Sequence, residues 1–397
     1  MKVKIQILFA FIMLYSACDK MDVSPEQEKT FIKFFSNYPD FSAVNVEQAG
    51  ISGYAILGTA GTYENGKQIC LIRTDEYGNS IDTARYYGRS LNDQAYCFKV
   101  MPDGGFAILG SSENPSNGTK EVLFIRTDET GEPLWTRIIG ETRDVEALHF
   151  DVDPNGSFFM IGYSVEESAP SVLSKDIWYF ALDSNGDNLW PNPRTRPGVN
   201  DDAGTCIRVL SNGALVLTGK TKSYPVPSAY DHAFICKANS LGIITSGIST
   251  LNSYFTDESA SVQIDEDDNI YMVGSVIPTS GDDKEILLAK FSYNVDNLVT
   301  HWVTNFENSG NDSGSGIIVN NGNLHVLGTV AREGSNTSIA VITADLYGEI
   351  QKSSFYGTGV QMRSADFNNA VDNSLIITGT NAITKDYSAA VFIKTTP

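Results

Sequence analysis

"WTRIIGETRDVEALHF" spans Trp135–Phe150, and a fainter version of it, "FIKFFSNYPDFSAVNV", spans Phe31–Val46. In each, a strand-like run ends in a polar turn and a second strand-like run begins. The mid-chain copy joins the tail of one unit to the head of the next. The other copy sits ahead of the first unit. Thr30–Asn37, "TFIKFFSN", therefore reads as a tail whose partner strands lie elsewhere in the chain.

The units emerge when the chain is aligned on an apolar run ending in Gly. "YAILG" ends at Gly58, "FAILG" at Gly110, "FFMIG" at Gly162 and "LVLTG" at Gly219; "IYMVG" ends at Gly274, "LHVLG" at Gly328 and "LIITG" at Gly379. The spacings are 52, 52, 57, 55, 54 and 51 residues. A period of this length marks a propeller or a solenoid. One period holds four strand-like runs, as in "AYCFKV", "FAILG", "EVLFIRT" and "LWTRII", with "MPDGG" and "DETGE" as turns. Four short antiparallel strands make a blade, whereas solenoid coils carry one or two strands per turn.

The turn after the third strand recurs as D-x-x-G at Asp75–Gly78, Asp128–Gly131, Asp183–Gly186 and Asp345–Gly348, with "NSLG" at Asn239–Gly242. Asp bonds its own downstream amides and Gly accepts the positive φ. Trp135 and Trp190 follow four residues past the Gly, giving D-x-x-G-x-x-x-W. This pattern resembles the repeat of quinoprotein-like and related bacterial propellers, and it covers nearly all of residues 30–397. The resemblance implies a blade and no particular cofactor. Thr30–Asn37 matches the fourth-strand runs "LWTRIIGE", "THWVTNFE" and "QKSSFYGT", while the last unit stops after a third strand at "AAVFIKTTP". The expectation is an all-β, seven-bladed β-propeller over residues 30–397, with four antiparallel strands per blade. The N-terminal strand should close the last blade and remove two open sheet edges.

Ahead of that domain, Lys2 and Lys4 precede "IQILFAFIMLY", an apolar run too short to span a membrane comfortably. It ends at "SAC". Ser16, Ala17 and Cys18 resemble the lipobox of bacterial lipoproteins, although Tyr15 stands where that motif prefers Leu. A plain secretory peptide with a chance cysteine is the alternative. "CDKMDVSPEQE" then resembles the acidic signal of surface lipoproteins in Bacteroidota. These likenesses imply a signal peptide over 1–17, lipidation at Cys18 and an acidic tether over 18–29. They also imply an outer-membrane protein, lipid-anchored and exposed at the cell surface.

The chain carries 28 Lys and Arg against 48 Asp and Glu, a net charge of −20. Loss of residues 1–17 removes Lys2 and Lys4 and no acid, so −20 becomes −22. Such a surface repels phosphate backbones and anionic head groups, which excludes nucleic acid and a polybasic membrane patch as partners. No later stretch is long and apolar enough for a transmembrane helix. Cys70, Cys97, Cys206 and Cys236 sit in apolar runs outside any CxxC spacing and read as buried free thiols.

Recognisable chemistry is sparse. His149, His232, His301 and His325 fall in different units and imply no shared metal site. "DVDPNG" (Asp151–Gly156) and "DSNGDN" (Asp183–Asn188) begin like calcium loops but read as turns. GxSxG, P-loop and HExxH motifs are absent from the sequence. The reading is a non-enzyme without cofactor or metal.

A binding site is expected on the long, irregular loops between second and third strands and between units. Tyr63, Tyr224, Tyr230 and Tyr387 lie there and suit a protein interface or a sugar ring. Asp93, Asp202, Asp257 and Asp312 each stand two residues before a small residue opening a first strand, with Asp144 close to register. They serve as turn caps or as a ring favouring a cation or basic partner. Arg194 and Arg196, in the proline-broken "WPNPRTRPG", form a basic spot. The functional expectation is an accessory protein-interaction module of an outer-membrane barrel or transporter complex. A surface polysaccharide-binding protein is the alternative. A propeller glycosidase or lyase ranks third, on fold analogy alone.

Overall fold

A computed structural model describes residues 30–395, apart from 37–39, 63–65, 90–91, 141, 170–171, 226, 252–255, 280, 282, 309, 335, 358–360 and 385–386. Cys18 and Tyr63 lie outside the described residues. The described chain folds into 28 β-strands in antiparallel groups of four. After β1 (Phe31–Phe35), the first group is β2 (Ser42–Ala49), β3 (Gly53–Thr62), β4 (Gly66–Thr74) and β5 (Arg85–Tyr87). The second is β6 (Asp93–Val100), β7 (Phe106–Glu113), β8 (Lys120–Thr127) and β9 (Pro133–Ile139). The third is β10 (Val145–Val152), β11 (Phe158–Ala169), β12 (Val172–Leu182) and β13 (Arg194–Arg196). The fourth comprises β14 (Asp202–Val209), β15 (Leu215–Thr221), β16 (His232–Ala238) and β17 (Ser249–Thr250). The fifth comprises β18 (Thr256–Ile264), β19 (Ile270–Ile277), β20 (Glu285–Asn294) and β21 (Asn297–Phe306).

β22 (Ser313–Asn320), β23 (Asn323–Ala331), β24 (Thr337–Asp345) and β25 (Ile350–Tyr356) follow. One parallel bridge, Thr337 to Gln361, links them to β26 (Gln361–Asn369), β27 (Leu375–Thr384) and β28 (Tyr387–Lys394). β1 pairs antiparallel with β28, from Phe31↔Lys394 to Phe35↔Ala390. The strand nearest the N-terminus thus supplies the fourth member of the last group, as its sequence suggested.

In each group the first strand lies innermost, around a central channel. The middle strands are buried nearly throughout, as in β7, whereas the outer β9 is mostly exposed or half-buried. That gradient explains why "FAILG" and "VLFI" read as continuous apolar runs. The recurrent Gly has a steric cause. A bulge falls at the same place in every inner strand, for example between Ala147 and His149 or between Gly204 and Cys206. There the inner strand closes on its neighbour, and a Cβ on Gly162 or Gly219 would collide with the Glu146 or Ala203 carbonyl.

The D-x-x-G turn has two jobs. Asp128 Oδ1 accepts the amides of Thr130 (2.8 Å) and Glu132 (2.9 Å), and Asn239 Oδ1 accepts those of Leu241 and Ile243 at 3.0 Å. The Gly then receives an aromatic ring from the preceding group. Trp135 lies on Gly186, Trp190 on Gly242 and Trp302 on Gly348. Indole Nε1 of Trp190 donates to Ser240 O (3.0 Å) and that of Trp302 to Leu346 O (3.1 Å). Tyr87 occupies this place on Gly131, and Phe31 of β1 occupies it on Gly78. First and last groups also meet directly. Asn45 donates to Asp366, Asn368 Nδ2 to Glu47 (3.1 Å), and Ser42 Oγ lies 3.2 Å from Thr380 Oγ1.

This interlock predicts unequal costs for two similar substitutions. Gly242 has φ +74° and a Cβ on it would stand 2.8 Å from Trp190; Gly213 has φ +79° and open space around it. Gly213→Ala should lose about 1–2 kcal/mol from the left-handed backbone alone. Gly242→Ala should lose a further ~1–3 kcal/mol from overpacking against the indole. Chemical denaturation of both variants checks this, and equal losses would contradict the interlock.

Candidate functional site

The channel is a cavity of about 520 Å³ lined by β2, β6, β10, β14, β18, β22 and β26. Because side chains alternate along a strand, alternate positions of each inner strand face it, and one level of the channel is lined by one position from each strand. Those positions hold Glu47, Lys99, Asp151, Arg208, Gln263, Ile318 and Asn368. At this level four successive strands present charges of alternating sign and the other three present none, while Asp366 of β26 adds a carboxylate two residues before Asn368. Lys99 Nζ lies 2.8 Å from Asp151 Oδ1, and the Val209 amide donates to Asp151 Oδ2 at 2.9 Å. Arg208 donates through Nε to Val262 O (2.9 Å) and through Nη1 to His149 Nε2 (3.0 Å).

Enclosure shifts the acids in opposite directions. Burial pushes Glu47 up to about 7, with Lys99 only partly offsetting it. Burial likewise raises Asp366 to about 6 against the amide of Val46 and the Asn45 side chain. For Asp151 the burial penalty is outweighed by Lys99 and Arg208, which hold it at about 2. His149, buried beside the cations of Arg208 and Lys99, is pushed well below its usual range and is neutral. Cys97 at the same level is pushed up to about 12 by burial and is no nucleophile. The channel presents an enclosed array of donors and acceptors suited to water, an ion or a small polar group.

A larger cavity of about 1060 Å³ opens on the long-loop face where the first and last groups meet. Ala365 lines both cavities, so the channel continues into it. Asp40 and Lys67 form an ion pair at 3.2 Å on its wall. Arg363 is exposed there, with no carboxylate partner among the described residues. Asn381 Oδ1 is buried in the same wall and accepts no hydrogen bond among the described residues.

The expected site residues are dispersed. Tyr387 lines the loop-face cavity and its hydroxyl donates to Ser36 O. Tyr224 and Tyr230 share the β15–β16 loop, in a different group. The Tyr224 hydroxyl donates to Pro197 O and Arg196 lies over its ring at 5.1 Å, while Tyr230 is 45% exposed. Arg194, the other half of the basic spot, lies over Trp190 and donates to Leu241 O.

Asp93, Asp202, Asp257 and Asp312 are each about 1% exposed. Their carboxylates accept backbone amides: Arg89 on Asp93, Lys222 on Asp202, Ala233 on Asp257 and Ala331 on Asp312. Asp151 needs correcting. It is not the start of a turn but the penultimate residue of β10, and the turn itself runs from Asp153 to Ser157. The channel charges lie on inner strands and not on the loops where a site was expected, although Glu47, Lys99, Asp151 and Arg208 recur at spacings of 52, 52 and 57 residues.

No family model matches the chain. Regulatory protein FlaEY of Caulobacter vibrioides is 24% identical over 280 residues, covering 67% of this chain and 29% of FlaEY. The chain thus spans under a third of that relative's length. Among solved structures, the ulvan lyase of polysaccharide lyase family PL25 bound to -[GlcA(1-4)Rha3S]- superposes with a TM-score of 0.59 at 10% identity, over 91% of this chain and 96% of that one. The β-propeller domain of the Trilobed protease from Pyrococcus furiosus gives 0.51 at 11%, over 90% and 94%. YCF48 bound to D1 peptide gives 0.51 at 12%, over 94% and 96%. The fold is that of a β-propeller. At these identities the likeness extends to the fold and no further.

The channel acids predict a pH dependence. Glu47 rises from an ordinary 4.5 to about 7 and Asp366 from 3.8 to about 6, so both bind protons more tightly in the folded state. Their contribution to stability is complete below about pH 4 and is lost as pH rises to about 7. Glu47→Gln should flatten the fall in melting temperature between pH 4.5 and 7 and leave the variant more stable than wild type at pH 8. A variant less stable at pH 8 would show Glu47 bound as a carboxylate.

Proposed function

We propose that the chain is a lipid-anchored binding module of the outer membrane. It closes as a seven-bladed propeller and docks through its long-loop face on another protein of that membrane. Ring closure is supported by β1 on β28, by Phe31 filling on Gly78 the place that Trp190 fills on Gly242, and by the Asn45–Asp366 bond. Deleting Thr30–Ser36 should then unpair β28 and uncover Gly78 together. The full chain should lose cooperative unfolding or melt at least ~10 °C lower, as a multi-kcal/mol loss implies for a protein of this size. An unchanged melting curve would count against closure.

The observation that carries docking is the loop-face cavity. An anionic protein of net charge −20 places Arg363, without a carboxylate partner among the described residues, and the Lys67–Asp40 pair at a concavity of about 1060 Å³, with exposed Tyr230 on another of the long loops. Arginine and tyrosine are the residues that most often anchor interfaces. Membrane attachment through a lipid on Cys18 rests on the sequence. A polysaccharide ligand is the second reading. The unsatisfied Asn381 Oδ1 suits a sugar hydroxyl, Arg363 suits a uronic acid or sulfate, and a similar fold was solved with such a chain.

Affinity purification of full-length chain from detergent-solubilised outer membranes separates the readings. Docking predicts one stoichiometric membrane protein, lost with Arg363→Ser and weakened at least ~10-fold by Tyr230→Ala, since such anchors contribute ~2 kcal/mol. Retardation in acidic-polysaccharide gels without a protein partner favours the glycan. Cys18→Ala should release the chain from the membrane fraction, and normal fractionation would remove the anchor.

A further inference from the structure

The repeat is broken at one place by chemistry that the other groups lack. In register with His232, the first residue of β16, the other groups carry Gln68, Glu121, Asp176, Glu285, Ser338 and Ala389. His232 Nδ1 lies 3.3 Å from Oδ2 of Asp257, and its Nε2 lies 3.2 Å from Oγ of Ser228 on the preceding loop. The Asp257 side chain is fully buried, and its Oδ1 is fixed by the Ala233 amide at 2.6 Å. Ser228 is itself fixed, its amide donating to Lys222 O (2.7 Å) while its Oγ accepts the Tyr230 amide (3.0 Å). An ionised carboxylate can only accept, so Nδ1 carries the proton and Nε2 faces the hydroxyl with a lone pair.

Ser228 also borders a pocket of about 320 Å³ whose walls include Val172, Leu173, Val199, Lys222 and Ala229. Three of those walls are exposed apolar side chains: Val172 at 51%, Leu173 at 54% and Val199 at 60%. The Ala229 amide, next after the serine, has no acceptor among the described residues. The amide after a nucleophilic serine is a recurrent oxyanion donor, and the Lys222 cation lines the same pocket.

We propose that Ser228, His232 and Asp257 form a hydrolytic triad that cleaves esters with a small apolar acyl group. This goes beyond the docking reading and does not depend on it. Ser228 Oγ adds to the ester carbonyl carbon while its proton passes to His232 Nε2. The resulting oxyanion meets the Ala229 amide and Lys222. Its collapse breaks the bond to the leaving alkoxide, which takes the proton from Nε2 and departs as the alcohol. Water then adds to the acyl-serine, giving a proton to Nε2, and collapse releases the carboxylic acid as that proton returns to Oγ. Asp257 holds the imidazole tautomer throughout. Burial raises its carboxyl above the ordinary range, and the Ala233 amide and His232 draw it back.

Full-length chain at pH 8 is tested with a fluorophosphonate probe and with p-nitrophenyl acetate and butyrate. One covalent adduct should form, mapping to Ser228, with ester turnover falling at least ~100-fold in Ser228→Ala. That substitution removes one hydroxyl and its bond from the Tyr230 amide, so its melting temperature should fall by no more than about 4 °C and separate lost chemistry from lost structure. His232→Gln should slow both labelling and turnover to the Ser228→Ala level. An unlabelled folded wild type, an adduct on another residue, or turnover persisting in Ser228→Ala would overturn the triad.

Discussion

Five pairs of neighbouring groups in this fold are held together by an aromatic ring lying on a glycine. The ring comes from the fourth-strand segment of one group and the glycine from the third-to-fourth turn of the group after it. Trp190 on Gly242 is the clearest case, because the indole also donates to Ser240 O of that same turn. A Cβ on the glycine would displace the ring, and the turn needs the positive φ of +74° as well. One residue therefore answers two demands at once. The ring is also the part of the outer strand that reaches the core, since Trp190 is buried while neighbouring Leu189 stays exposed. Fully burying a large side chain contributes ~1.5–3 kcal/mol, so successive interlocks bind groups that have few backbone bonds between them.

Such groups leave their inner strands with one face toward a shared channel of about 520 Å³. Charges placed there are tolerated only in pairs. Lys99 and Asp151 meet at 2.8 Å, Arg208 finds a carbonyl and a neutral imidazole, and the acids with less support move toward protonation. The uncharged side of the ring, with Gln263 and Ile318, has no such requirement. This asymmetry gives the channel an internal field, which orients water and makes its polarity differ from one wall to the other.

Much of the architecture was legible because two periodicities coincided. The apolar runs ending in Gly58, Gly110 and Gly162 gave the unit length, and the Asp turns divided each unit into strands. Phe31–Phe35 could be assigned to the end of the chain because β1 carries the outer-strand pattern rather than the inner one. The channel was harder to see. Glu47 and Lys99 are charged residues in strands, and a charge in a strand usually marks a solvent-facing side. Asp151 was further concealed by "DVDPNG", where turn-forming residues run on from the strand without a break. Which strand face points inward depends on the bulge, whose first flank is always small, as Ala43, Ala147 or Ser364, but whose second flank varies from Asn45 to His149 to Asp366.

The repeat also provides a standard against which single departures can be judged. Carboxylates at Asp202 and Asp312 take the backbone amides of Lys222 and Ala331 within their own groups, whereas Asp144 takes that of Lys120 from the preceding group and so pins one group to the next. Asp257 does the same with Ala233, then spends its second oxygen on His232. A purely structural cap has no use for that second contact, since Asp202 and Asp312 each leave an oxygen without a partner among the described residues and remain buried. The His232 imidazole therefore adds to the scaffold something that scaffold stability does not require. In a fold whose groups are built alike, the position that keeps the structural bond and adds a titratable group is where chemistry can arise without dismantling the ring.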